Sequence, residues 1–273
     1  MYVTCVYWGT LMERNIYKNV AEFYDHDERE LLKVDIPFFL DLAREYNCSE
    51  ILELACGTGR IAIPLAKEGL SVTGLDISLE MLNIFNEKIK HLPDEISNRI
   101  RIVQGDMSNF NLNKRYDLVL FPFHTFQMLL DDKSRENCLC GIIAEHLKPN
   151  GIFVVNAFRP YGPIDENWEL VPPHIQYEVY DRKNRRTIKK TSINEKIDIS
   201  EQIIYVKHRY DITYEDGKTK SLYDYLALKY YQHEQLKSLL LNTGFEILEE
   251  YGWYDKRDIA NGKELIFVCR LLH

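Results

Sequence analysis

None of the six cysteines (Cys5, Cys48, Cys56, Cys138, Cys140 and Cys269) forms a Cys-x-x-Cys pair. Cys138 and Cys140 would point to different sides of a helix. A disulfide framework and a metal site are therefore not expected, and a reducing cytoplasm fits. Basic charge is also short, with 34 Lys and Arg against 42 Asp and Glu and a formal net charge of −8. That balance leaves no overall footprint for nucleic acid. No apolar run is long enough to cross a bilayer. Residues 1–11 are mildly apolar, but they are short and lack a basic n-region. Met12 opens a polar segment, so residues 1–12 read as a disordered arm or extension. Repeats, low-complexity tracts and linkers are missing as well.

What remains is a chain of 273 residues, 45% hydrophobic and 28% charged, long enough for one large domain with an elaboration. Its aromatic content leans towards 18 tyrosines, which suit a small-molecule pocket as well as a core. From Tyr17 to Tyr46 the apolar spacing is helical, with Pro37 marking a kink or a helix start. Strands are then expected at 51–54, 71–76, 99–104, 116–121 and 152–157, with helices at 60–68, 78–92 and 133–147. Alternation of this kind calls for a parallel sheet covered on both faces.

After Phe158 the pattern changes to period two over 175–181, 189–197, 203–214 and 219–230, with Asp216-Gly217 as a hairpin turn. A last helix, 232–241, and two strands, 245–253 and 264–272, follow. The expected fold is α/β: a Rossmann-like, mostly parallel seven-stranded sheet with a C-terminal antiparallel hairpin, plus an inserted antiparallel β cap. Residues 13–158 and 231–273 would form the core, and 159–230 the cap.

The segment Glu53-Leu-Ala-Cys-Gly57-Thr-Gly59-Arg60 joins strand to helix through two glycines. Such a turn brings backbone N–H groups and a helix N-terminus close to a ligand. Gly57-x-Gly59-x-x-Ala62 also satisfies the dinucleotide pattern, so the turn alone leaves a nicotinamide dehydrogenase open. Glu53, Asp76 and Asp106 each close an expected strand, on the side where open parallel sheets bind ligands. Asp76, after the second strand, is placed to accept two ribose hydroxyls side by side.

With these residues in view, the chain from Glu13 to Leu271 resembles a class I S-adenosylmethionine (SAM)-dependent methyltransferase. Glu53 to Gly59 is similar to the family's first motif, with Ala55 where glycine is usual. Asp76-Ile77 and Asp106-Met107 resemble the ribose and adenine pairs. Tyr116-Asp117-Leu-Val-Leu-Phe121 resembles the strand flanking the methyl group, and Leu147-Lys-Pro-Asn-Gly151 the turn before strand five. The resemblance implies cofactor contacts from Tyr17, Tyr24, Glu53, Ala55, Cys56, Gly57, Thr58, Gly59, Arg60, Asp76, Ile77, Met81, Gly105, Asp106, Met107 and Phe121. SAM would be the donor and S-adenosylhomocysteine the product.

Phe123-His124-Thr125-Phe126-Gln127-Met128-Leu129 departs from the motif of base-amine methyltransferases. It resembles instead the small-molecule branch, akin to amino-sugar and glycine N-methyltransferases. His124 replaces the usual Asn, and Met128, which cannot titrate, replaces a His. His124 is the candidate general base. Tyr17, Thr125, Gln127, Arg159, Tyr177, Arg209 and Tyr225 are candidate acceptor contacts.

The expected activity is methyl transfer to N or O of a small metabolite, by a cytoplasmic protein that forms a homodimer through the cap. No nucleic-acid or membrane partner is expected. The alternatives are a non-catalytic SAM-binding protein on the same fold and the dehydrogenase.

Overall fold

The computed structural model describes residues 17–160 and 164–271. The arm expected at 1–12 lies outside the described residues.

The core sheet contains β1 (Glu50–Leu54), β2 (Ser71–Asp76), β3 (Ile100–Gln104), β4 (Tyr116–Phe121), β5 (Leu147–Phe158), β10 (Phe245–Tyr251) and β11 (Glu264–Leu271). Its order is β10-β11-β5-β4-β1-β2-β3. All neighbours are parallel except β11, which runs antiparallel between β5 and β10. The order reverses between β1 and β4, so the carboxyl ends of these two strands flank the place where such sheets bind ligands. Both strands are apolar and buried, as a central strand covered on two faces must be.

Helices α1 (Leu31–Glu45), α2 (Ala62–Lys67), α3 (Leu79–Lys90), α5 (Asp132–Gly141) and α6 (His233–Thr243) cover the sheet, with a short α4 (Asp94–Ser97) that the spacing did not reveal. Ser78 caps α3 by accepting the Met81 N–H at 3.3 Å. Gly244, at φ +104°, ends α6. The helical pattern expected over 17–46 is broken into a 3₁₀ turn at Ala21–His26 and α1. Pro37 lies inside α1 rather than at its start; buried Phe38, Phe39, Leu42 and Ala43 anchor the turns that follow it. The helix expected to reach Leu147 narrows to α5 and a wide turn at Ile142–His146. There His146 is held by the Lys114 and Phe110 carbonyls and stacked on Phe110.

The cap is a four-stranded antiparallel meander: β6 (His174–Asp181), β7 (Arg186–Asp198), β8 (Ile203–Tyr214) and β9 (Thr219–Lys229). Two apolar clusters hold its inner face. In one, Ile188, Tyr210 and Ile212 pack on Val20 and Phe23 of the N-terminal strap. In the other, Ile204, Leu228 and Tyr230 pack with Met128 and Phe158 of the core.

Candidate active site

The glycine turn leaves β1 with three residues at positive φ: Ala55 (+57°), Gly57 (+55°) and Gly59 (+78°). The two glycines serve different needs. A Cβ on Gly57 would meet nothing within 4 Å, so its face is open towards a ligand; one on Gly59 would sit 2.2 Å from the Phe85 ring of α3. Gly59 is thus required for packing as well as backbone conformation. Asp76 completes the turn: Oδ2 accepts the Gly57 N–H at 2.8 Å and Oδ1 the Ser78 N–H at 2.8 Å. Each oxygen retains a lone pair for a further donor. Burial raises the Asp76 pKa, against the backbone N–H bonds of Ser78, Gly57 and Ile77. Cys56 is buried, its Sγ facing Gly74.

Glu53 lies at the base of this turn, 2% exposed, and its Oε2 has no hydrogen-bond partner among the described residues. Burial pushes its carboxyl up to about 8; Arg60 opposes this, while Asp35 and Asp76 add to it. Arg60 makes two 2.7 Å bonds to the fully buried Asp35 and a 2.8 Å bond to the Leu32 carbonyl. Its guanidinium also lies 5.6 Å from the Phe123 ring centroid, which links the turn after β1 to the loop after β4.

The N-terminal strap closes over the turn. Thr58 Oγ1 donates to Asp25 Oδ1 at 2.7 Å, and Lys88 Nζ bridges Asp25 Oδ2 (2.7 Å) and the Thr58 carbonyl (3.0 Å). Tyr17 and Tyr24 pack edge to face, with centroids 5.6 Å apart. Burial pushes Tyr24 up to about 12 against the pull of Arg60, and raises Tyr17 further with help from Tyr24, Asp224 and Asp76.

After β3, Gly105 N–H donates to the Asp76 carbonyl at 3.0 Å, and Asp106 Oδ1 accepts the Ser108 N–H at 2.8 Å. Ile77 is half-buried and Met107 packs against the core. Met81 and Phe121 are within the core, 1% and 0% exposed.

After β4 the chain turns sharply. Phe123 (φ +50°) and His124 (φ +66°) both adopt the left-handed region, which is strained for a bulky residue. Their rings stack, with centroids 5.2 Å apart. His124 Nε2 lies 2.7 Å from Glu264 Oε2, which also accepts Asn156 Nδ2 at 2.8 Å; Asn156 Oδ1 in turn accepts the Tyr254 hydroxyl at 2.9 Å. A carboxylate oxygen already accepting one donor requires the imidazole to donate, which leaves His124 Nδ1 as the basic nitrogen. Glu264, Asn156 and Tyr254 were not found from the sequence. The only signal was an acid at the start of β11 and an amide within the apolar run of β5 from Ile152 to Phe158.

The acceptor candidates divide. Tyr177 hydrogen-bonds the Phe23 carbonyl at 2.9 Å, beneath the strap. Thr125 Oγ1 caps the β4 loop on the Pro122 carbonyl (2.9 Å), and Arg159 holds the Ile259 carbonyl (2.5 Å). Gln127 is fully buried, with both ends of its amide committed to Lys229 and Phe158, so it is a strut between core and cap. Arg209 and Tyr225 are not brought to the site. They occupy the cap's outer face, where Arg209 pairs with Asp211 and Tyr225 is 38% exposed beside Lys207. The basic run at 182–190 forms the β6–β7 hairpin, with Arg186 bound to Asp181 and Glu22.

These residues fit SAM: an open face at Gly57, a buried carboxyl oxygen lacking a partner among the described residues, and acids at the carboxyl ends of β1 and β2 and just after β3. The Ala55 methyl is the one departure from the family's turn.

A family model described as a methyltransferase domain matches residues 51–151. The chain is 33% identical over 115 residues to the dTDP-3-amino-3,4,6-trideoxy-alpha-D-glucopyranose N,N-dimethyltransferase of Streptomyces venezuelae, covering 41% of this chain and 44% of that enzyme. It therefore spans less than half the length of this curated relative. Solved structures are similar over far more of the chain. The CcbJ methyltransferase from Streptomyces caelestis superposes with a TM-score of 0.76 at 23% identity, over 95% of this chain and 98% of that one. The sugar N-methyltransferase KedS8 from a Streptoalloteichus species gives 0.74 at 18% identity, over 100% and 98%. Residues 51–151 thus match a methyltransferase domain, in a chain that has the fold of these solved methyltransferases.

Proposed function

We propose that this protein transfers a methyl group from SAM to a nitrogen of a small molecule, releasing S-adenosylhomocysteine. The observation that carries the reading is the pairing, across the β1/β4 switch point, of the Asp76-braced glycine turn with the Phe123–His124 corner. When bound, SAM supplies an electrophilic methyl: the acceptor's lone pair takes the carbon, and the C–S bond breaks with its electrons passing to sulfur. The core (13–158 and 231–273) holds the cofactor and the cap (159–230) the acceptor. The turn from Ala55 to Arg60 meets the methionine end, Asp76 the ribose, and Asp106 with Met107 the adenine. Tyr17 and Tyr24 exclude water. Glu264 fixes the His124 ring so that Nδ1 can take a proton from the acceptor. Positioning and dehydration can supply much of the acceleration, roughly 7–11 kcal/mol when alignment is good.

The amino-sugar relative supports a nitrogen acceptor. A mass-spectrometric screen of amines and alcohols with SAM tests this. Products gaining one methylene among amines only support the reading; products from alcohols only reject it.

Our reading also keeps the homodimer, through the outer cap face bearing Tyr223 and Tyr225, and a reducing cytoplasm. Exposed aromatics support the first and unpaired thiols the second. Light scattering tests the dimer.

A further inference from the structure

We infer that Asp224 is the carboxylate that receives the acceptor's amino group, which makes the acceptor an amine rather than a carboxylate or a phenolate. The inference rests on the methyl-transfer reading above.

Asp224 lies on β9 and is 2% exposed, and neither of its carboxylate oxygens has a hydrogen-bond partner among the described residues. Its position is central. Ser192, His208 and Asp224 form one cross-strand row over β7, β8 and β9, all buried. On β9 the same face carries Leu222, in the cluster under the strap, and Leu226 and Leu228, in the cluster against Met128 and Phe158. The row is therefore a polar band between two apolar walls, on the face turned to the cofactor core. Asp224 and Asp76 both raise the Tyr17 pKa, so both acids lie near the strap tyrosine.

Neither nearby cation hydrogen-bonds Asp224. His208 Nδ1 is 3.7 Å from its Oδ2, an ion-pair distance beyond hydrogen-bond reach, and burial lowers the His208 pKa against the pull of Asp224. Lys190 Nζ lies over the Tyr210 ring, 5.4 Å from its centroid, and burial pushes it down to about 8. A buried carboxylate without donors is costly, and it persists where a ligand supplies the missing partner. A cationic or N–H-bearing acceptor does so, whereas an anionic acceptor would be repelled. Methyl transfer also moves a positive charge from sulfur to the acceptor nitrogen. A fixed carboxylate on the nitrogen side stabilises that charge as it develops.

The test uses two probes that do not require the natural acceptor. S-adenosylhomocysteine is neutral at sulfur. Sinefungin carries an amine where the transferable methyl stands, and that amine points at the acceptor slot. Calorimetry is run on the wild type, Asp224→Asn and Asp224→Leu, with thermal melts. The expected result is tighter sinefungin than S-adenosylhomocysteine binding by the wild type. Asp224→Asn should then weaken sinefungin about threefold or more and leave S-adenosylhomocysteine within about twofold. Both variants should melt at or above the wild-type temperature, because an unpaired buried charge is gone. An unchanged ratio of the two affinities overturns the inference, as does a lowered melting temperature with equal loss of both ligands, which marks a structural residue. Wild type binding neither probe instead defeats the methyl-transfer reading on which the inference rests.

Discussion

His124 and Glu264 are 140 positions apart in the chain and 2.7 Å apart in the structure. One ends the loop after β4 and the other begins β11, and the antiparallel pairing of β11 with β5 brings them together. The pair orients a base whose backbone is already in an unfavourable conformation. His124→Ala should lower kcat by about 10²-fold or more if Nδ1 takes a proton in the rate-limiting step. Glu264→Gln should lower kcat less and shift the kcat–pH profile, leaving S-adenosylhomocysteine affinity unchanged. Near-wild-type turnover by His124→Ala would reject the role.

Ala55 holds φ +57° where a glycine would be unstrained. Ala55→Gly should therefore stabilise the protein by roughly 0.5–1 kcal/mol, the left-handed penalty less glycine's extra unfolded-state entropy. Denaturant unfolding with an unchanged slope checks this. Destabilisation would mean that the methyl contributes packing.

Glu53 gives a pH signature. Its folded pKa is raised to about 8 from a reference of 4.5, chiefly by burial. The folded state therefore binds this proton more tightly than the unfolded state. The associated stability is fully present below pH 4.5 and is lost as pH rises to about 8. Glu53→Gln should change stability little at pH 5 and raise it above pH 8, by something on the order of 5 kcal/mol. Melts of both proteins from pH 5 to 9 measure the crossover, and parallel curves would contradict it.

Lys88 and Asp25 clamp the strap across Thr58, and both are about one-third exposed. Lys88→Ala should leave global stability within about 1 kcal/mol, as befits a partly exposed pair. Release of S-adenosylhomocysteine, followed by stopped flow, should become several-fold faster because the strap opens more readily. An unchanged release rate would show that the clamp does not gate the cofactor.

Much of the fold was legible because period and punctuation are local. The core strands ended in acids, the cap strands alternated, and Ser78, Gly69 and Gly244 bounded helices as expected. Less local features were not. Alternation showed that Arg209 and His208 face opposite ways, but not which face meets the core; packing on Phe23 and Met128 decides that. Gln127 looked like a ligand contact, since nothing in its neighbourhood announces two partners about 30 and 100 residues away. Glu264 could be found only through the strand order, which places β11 beside β5. The turn around Gly57 was legible as a strand-to-helix turn from its two glycines. That Gly59 answers to Phe85 could not be read, because it depends on how α3 lies over the turn.

The central claim is that the Asp76-braced turn holds the cofactor of methyl transfer. Calorimetric titration of S-adenosylhomocysteine, SAM and NAD into the wild type and Asp76→Ala tests it most directly. The account predicts binding of the first two with one site per chain, no binding of NAD, and a loss of at least about tenfold in Asp76→Ala, the worth of two hydroxyl bonds to a carboxylate. Binding of NAD instead, or of none of the three, would contradict it.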